Sequence, residues 1–230
     1  MEKNSATIFA ASSTPDFDDA IELSVVGKQI HLRTTEPGNY SVKETDGVAG
    51  KVEIGALPPP QILADGWTLH AKPKELNSTN THPVLLDSLK SWTEFSDPAI
   101  KYFSGTFAYA RDVEIAPEQL EKNRQLWLDL GDVREIAQVE LNGKNLGILW
   151  KPPFSVDIRR AAKPGANQLV VRVTNFWPNR IIGDQFLPEN ERVTRTNIRQ
   201  LTKSTPLMPS GLLGPVRLTT VADQEIQFSK

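Results

Sequence analysis

Apolar and polar positions alternate with period two along most of the chain, the spacing of β-strands that bury one face. In "IELSVVGKQIHLRTT" the alternation runs on both sides of Gly27-Lys28 and predicts two strands. "GNYSVKETDGVAGKVEIGAL" predicts a further pair, turning at Asp46-Gly47, where the turn needs residues that tolerate positive φ. "LPPPQ", Leu57 to Gln61, interrupts the pattern, because three consecutive prolines offer no backbone donors and stiffen the chain. We therefore expect a junction there, between a small β unit over residues 1–63, the end of a preceding β domain, and a larger one over 64–230.

The larger unit carries the same period through "YFSGTFAYARDVEI", "RQLWLDLGDVREIAQVELNGKNLGILWKPPFSVDI", "NQLVVRVTN" and "GLLGPVRLTTV". Asn142-Gly143 is the strongest hairpin turn, entered by Val139 and Leu141 and left by Leu146, Ile148 and Leu149. Pro152 and Pro153 then break the ladder. Pro164-Gly165 turns the chain into a strand whose Leu169, Val171 and Val173 share a face. "PEQLEKNRQ" and "DIRRAAKPGAN" have room for one helical turn each, and no long segment has a 3.6-residue period. The expected fold is all-β, an antiparallel sandwich.

Composition sharpens this picture in few places. The 230 residues, 39% of them hydrophobic, suffice for a substantial core. With a formal net charge of −2 and no basic run, nucleic acid is not an expected partner. There is no cysteine, which removes disulfides, thiolate metal sites and a cysteine nucleophile. No apolar run approaches the roughly 18 residues of a membrane span, so no membrane partner is expected. "MEKNSATIFAASSTPDF" lacks a charged-then-apolar signal pattern and begins abruptly, as a module cut from a longer chain would.

The candidate chemistry gathers at strand ends. "WPNRIIGDQ" follows the strand "NQLVVRVTN" and sets Trp177 beside Asn179, Arg180, Asp184 and Gln185. Trp150 and Lys151 end another strand. A sugar ring presents an apolar C–H face that stacks on an indole, while its hydroxyls suit amides, carboxylates and guanidinium groups. Against this stands a structural reading: Arg180 pairs with Asp184, and Asn179 is a turn residue. Trp127, within "LWLDL", is expected in the core, and Trp67 and Trp92 are expected to pack the two units together. Glu189 and Glu191 are near neighbours and Asp129 and Asp132 flank Gly131; both pairs read as turn formers or solvated charges. His31, His70 and His82 show no metal-ligand spacing.

Together, "SLKSWTEFSDPAIKYFSGT", "VELNGKNLGILWKPPF", "WPNRIIGDQ" and "SGLLGPVRL" resemble a known sequence type. It is similar to the galactose-binding-like jelly roll of glycoside hydrolase family 2 enzymes, and more so to the C-terminal β-sandwich of family 106, the large α-L-rhamnosidases. The resemblance covers roughly Asp65 to Val221. It implies a carbohydrate-binding accessory module, with a rhamnose-containing glycan and the catalytic (β/α)8 barrel of a parent enzyme as partners. It also implies an extracellular or periplasmic bacterial location and no cofactor, although it allows a structural calcium ion. A barrel of about 250 residues has no room here. By analogy with family 2, two places reach toward the barrel's active site: Tyr102-Phe103-Ser104, and the loop from Trp177 to Ser210 with "RVTRTNIRQ" inside it. A loop of that length without structure of its own is usually functional or docked. Three readings stay open: a sugar-contacting rim, a purely structural module that docks on the barrel, or a hydrolase in its own right.

Overall fold

The computed structural model describes residues 4–6, 21–27, 29–43, 48–70, 83–197 and 200–229. The chain is an all-β sandwich, as the alternation predicts. Strands β1 (Asn4–Ala6), β2 (Ile21–Val26), β3 (Gln29–Thr34), β4 (Gly38–Lys43) and β5 (Ala49–Ile54) belong to the first unit. The Asp46-Gly47 turn, Lys28 and His82 lie outside the described residues. β6 (Gln61–Ile62) closes the first unit, and the second holds β7 (Trp67–His70), β8 (Val84–Leu86), β9 (Thr106–Ile115), β10 (Arg124–Asp129), β11 (Asp132–Arg134), β12 (Ile136–Leu141), β13 (Lys144–Leu149), β14 (Ser155–Asp157) and β15 (Gly165–Thr174). Three more close the chain: β16 (Gly211–Gly214), β17 (Arg217–Glu225) and β18 (Gln227–Ser229).

One antiparallel sheet runs β13-β12-β15-β9-β7-β8 and faces a second, β14-β10-β17-β3-β2. The alternation is visible in burial: Phe107, Tyr109, Val113 and Ile115 of β9 and Leu169, Val171 and Val173 of β15 point inward against Leu126, Leu128 and Leu218. The Asn142-Gly143 hairpin forms with both residues at positive φ, and Gly147 sits at a bulge opposite Val139/Glu140. Pro117–Leu120 supplies the one helical turn expected in "PEQLEKNRQ".

A smaller apolar cluster holds Leu32, Tyr40, Val42, Val52 and Ile54 of the first unit together with Ala222 and Ile226 from the C-terminal end. The link is β17, which pairs with β10 through Ala222 and with β3 from Ala222 onward; β18 then pairs with β5. The two units thus share strands as well as the "LPPPQ" connection.

Two tryptophan expectations are revised. Trp67 and Trp92 are fully buried within the larger core and do not bridge the two clusters. Their indole N–H groups explain the placement: Trp67 donates to the carbonyl of Leu63, the last residue of the first unit, at 2.8 Å, and Trp92 to the Tyr109 hydroxyl at 2.5 Å within the second unit. Trp127 is buried, but on the face of its sheet opposite Leu126 and Leu128, where its indole donates to Gln125.

Candidate functional site

The register of the main sheet gathers the candidate residues on one rim. Thr174 pairs with Thr106 and with Ile136, and Ala137 pairs with Leu149. The end of β15, the start of β9 and the end of β13 are therefore neighbours. Trp177 leaves the first, Tyr102 precedes the second and Trp150 follows the third. The ends of β13 and β15 are separated by β12, hence by about 10 Å. Both indoles are exposed, Trp150 by 69% and Trp177 by 62%. Lys151 is exposed beside Trp150, its ammonium 5.7 Å from that ring's centroid.

The stretch from Trp177 to Ser210 is not structureless. Pro178–Asp184 is a helix, with Pro178 opening it where a missing N–H costs no intrahelical bond. A second turn, Glu189–Glu191, follows. The excursion is pinned at its base by a network of amides and hydroxyls. Asn175 donates to the Phe103 carbonyl and to Ser210 Oγ and accepts from Gly105 N. Asn179, 1% exposed, donates to the Met208 carbonyl at 2.7 Å and to Ser210 Oγ at 3.1 Å, and accepts from Met208 N at 2.8 Å. Ser210 N in turn donates to Ser91 Oγ at 3.0 Å. Ser104 Oγ ties the other rim segment to the Phe176 carbonyl at 2.8 Å.

Asp184 is equally buried, at 1% exposed. One oxygen accepts from the backbone and hydroxyl of Thr194 at 2.7 and 2.6 Å; the other lies 2.9 Å from the Arg180 guanidinium. Burial alone would push its carboxyl up, but the Thr194 bonds and Arg180 outweigh it and hold the carboxyl below its ordinary value. Gly183 is where the helix meets the other rim segment: a Cβ there would stand 2.5 Å from Tyr102 Cβ. Tyr102 then packs on Phe186, their ring centroids 5.7 Å apart.

Of the residues singled out from sequence, Trp150, Lys151 and Trp177 are open to solvent, and Tyr102, Arg180 and Gln185 are half-buried. Asn179 and Asp184 face inward, and the Arg180–Asp184 pair forms as the structural reading expected. The carboxylate pairs do not converge. Asp129 binds Arg217 and the Gly131 amide, Asp132 binds Arg134, and Glu189 and Glu191 stand exposed on one short turn. His31 bonds Asp223 at 2.7 Å, while His70 is exposed.

Sequence reasoning missed a polar cleft of about 730 Å³ inside the excursion, lined by Gln185, Asn190, Arg192, Thr194, Arg195 and Leu201 among others. Only the density of amides, hydroxyls and arginines in "ENERVTRTNIRQ" hinted at it. Also missed was the exposure of Phe176, Phe186, Val193 and Met208 on the same excursion.

No family model matches the chain. A protein of Formosa agariphila named "Putative beta-glucuronidase" is 37% identical over 216 residues, which are 84% of this chain and 18% of that protein. The chain therefore spans less than a fifth of the curated relative it matches. Among solved structures, a rhamnosidase from Novosphingobium sp. PP1Y superposes with a TM-score of 0.63 at 24% identity, over 93% of this chain and 24% of that one. This likeness shows the shared fold.

Proposed function

We propose that this chain is a non-catalytic accessory module of a glycoside hydrolase similar to the family 106 α-L-rhamnosidases. Catalysis belongs to a (β/α)8 barrel elsewhere in the parent enzyme, and the rim at the ends of β13 and β15 contacts its glycan. The observation that carries this reading is the pair of exposed indoles, Trp150 and Trp177, which follow the ends of β13 and β15 at one end of the main sheet. Each exposed indole offers a flat apolar face, and a sugar's C–H face suits it. Lys151 stands beside the Trp150 ring, and Tyr102, Arg180 and Gln185 are half-buried on the segments next to Trp177, with donors and acceptors for hydroxyls. Asn179 and Asp184 serve by holding the excursion in shape. The likeness to a protein named as a β-glucuronidase, and to the fold of a rhamnosidase, supports the glycoside hydrolase setting.

Affinity electrophoresis of the isolated chain through gels containing rhamnose-rich polysaccharide tests the proposal. The chain should be retarded, and Trp177→Ala should migrate freely while keeping its thermal midpoint. Equal migration with and without polysaccharide would count against sugar contact.

A second reading has an observation of its own. Phe176, Phe186, Val193 and Met208 expose apolar surface on the excursion beyond what one stacking platform uses. In this reading the excursion docks on the catalytic barrel. It predicts that the isolated chain binds the remainder of the parent enzyme and that Phe186→Ser weakens that association without affecting sugar retardation.

A further inference from the structure

We propose that the cleft inside the excursion binds the carboxylate of a uronic acid residue, so that the module prefers acidic glycans; this rests on the carbohydrate-binding reading above. The cleft lies beyond the C-terminal end of the helix that starts next to Trp177. Gln185, on its wall, is eight residues on from Trp177, about 12 Å along a helix axis. An oligosaccharide stacked on Trp177 has the length to place another residue there.

The charge pattern of the cleft selects the ligand. Asp184 lines it, but its charge is taken up by Arg180 and Thr194. Arg192 and Arg195 both line it, both are exposed, and neither forms an ion pair among the described residues. Arg192 donates its Nε to the Leu187 carbonyl at 3.3 Å, which orients its guanidinium and leaves the terminal nitrogens free. Against these two cations stands one lining carboxylate not held by a partner, Glu189. A guanidinium presents two parallel N–H donors that match a carboxylate and discriminate against neutral hydroxyls. Asn190, Gln185 and Thr202 complete a lining suited to ring hydroxyls. With no basic tract elsewhere and a net charge of −2, a polyanion that needs an extended positive surface fits poorly.

The test is calorimetric titration of the chain with an oligosaccharide of alternating rhamnose and uronic acid, and with the same oligosaccharide after its carboxyls are reduced to alcohols. Wild type should bind the acidic form about tenfold or more tightly than the reduced form, the scale of a charge-assisted hydrogen bond. Arg195→Gln should abolish that preference while leaving the affinity for the reduced form unchanged, and Arg192→Gln should diminish it. Equal binding of the two forms by wild type overturns this inference and leaves the module reading standing. So does an acid preference that survives in both variants. If neither form binds, the carbohydrate reading falls and this inference with it.

Discussion

Removing the Asn179 side chain beyond Cβ should loosen the whole excursion. Asn179 is almost inaccessible and makes three hydrogen bonds, at 2.7, 3.1 and 2.8 Å, all to Met208 and Ser210 at the far end of the excursion. Nothing else on the helix ties to that far end so directly. At about 1 kcal/mol net for each bond, Asn179→Ala should cost about 3 kcal/mol. That cost can surface in two ways. If the excursion unfolds together with the sandwich, thermal unfolding followed by circular dichroism should fall by about 6–12 °C for a chain of this size. If the excursion opens alone, amide exchange from Ile181 through Thr205 should quicken by about a hundredfold, with the midpoint little changed. Gln185→Ala, which removes one 3.4 Å contact on the same helix, is the control and should do neither. An Asn179→Ala protein with wild-type midpoint and wild-type exchange across the excursion would refute the idea that this amide is its latch.

Four other consequences follow from the structure. Asp184 contributes stability because its folded carboxyl lies below the ordinary value of 3.8; that contribution is full above it and disappears as the pH falls through the folded value. The gap in thermal midpoint between wild type and Asp184→Asn should therefore be widest at neutral pH and narrow below about pH 4. Burial pushes the Tyr109 hydroxyl up to about 12, so absorbance titration of the folded protein should show Tyr109 still protonated at pH 11. Tyr109→Phe, which orphans the Leu212 amide and the Trp92 indole N–H, should cost about 2–4 kcal/mol in urea unfolding. Gly211 has φ +106° and a Cβ there would stand 2.4 Å from Trp92 Nε1, so Gly211→Ala should destabilise by about 2–6 kcal/mol or yield insoluble protein.

The sandwich was legible because strand periodicity is a local signal. β9 and β15 alternate inward and outward residue by residue, and Asn142-Gly143 announces its own turn. The rim was legible in part. Tryptophans at strand ends are conspicuous, but that Trp150, Trp177 and Tyr102 share one edge depends on the pairing of Thr174 with Thr106 and Ile136, which no local pattern encodes. The helix Pro178–Asp184 escaped notice because it is shorter than the two or more turns over which a 3.6-residue period can be read. The inward turn of Asn179 and Asp184 escaped for a related reason. Polar side chains are expected at the surface, and only the bonds to Met208, Ser210 and Thr194, 10 to 31 residues away, make their burial tolerable. The cleft is a product of that same fold-back and has no sequence motif. The sharing of strands between the two units was hidden because it depends on where β17 and β18 return.

The most direct test of carbohydrate contact is the intrinsic fluorescence of the chain titrated with rhamnose-containing oligosaccharides. Trp67, Trp92 and Trp127 are buried, so a ligand at the rim can report only through Trp150 and Trp177. The titration should give a saturable change that Trp177→Ala abolishes or sharply reduces, with no loss of thermal stability. A wild-type signal that stays flat up to tens of millimolar of every such oligosaccharide would contradict carbohydrate contact and leave the excursion as a docking surface.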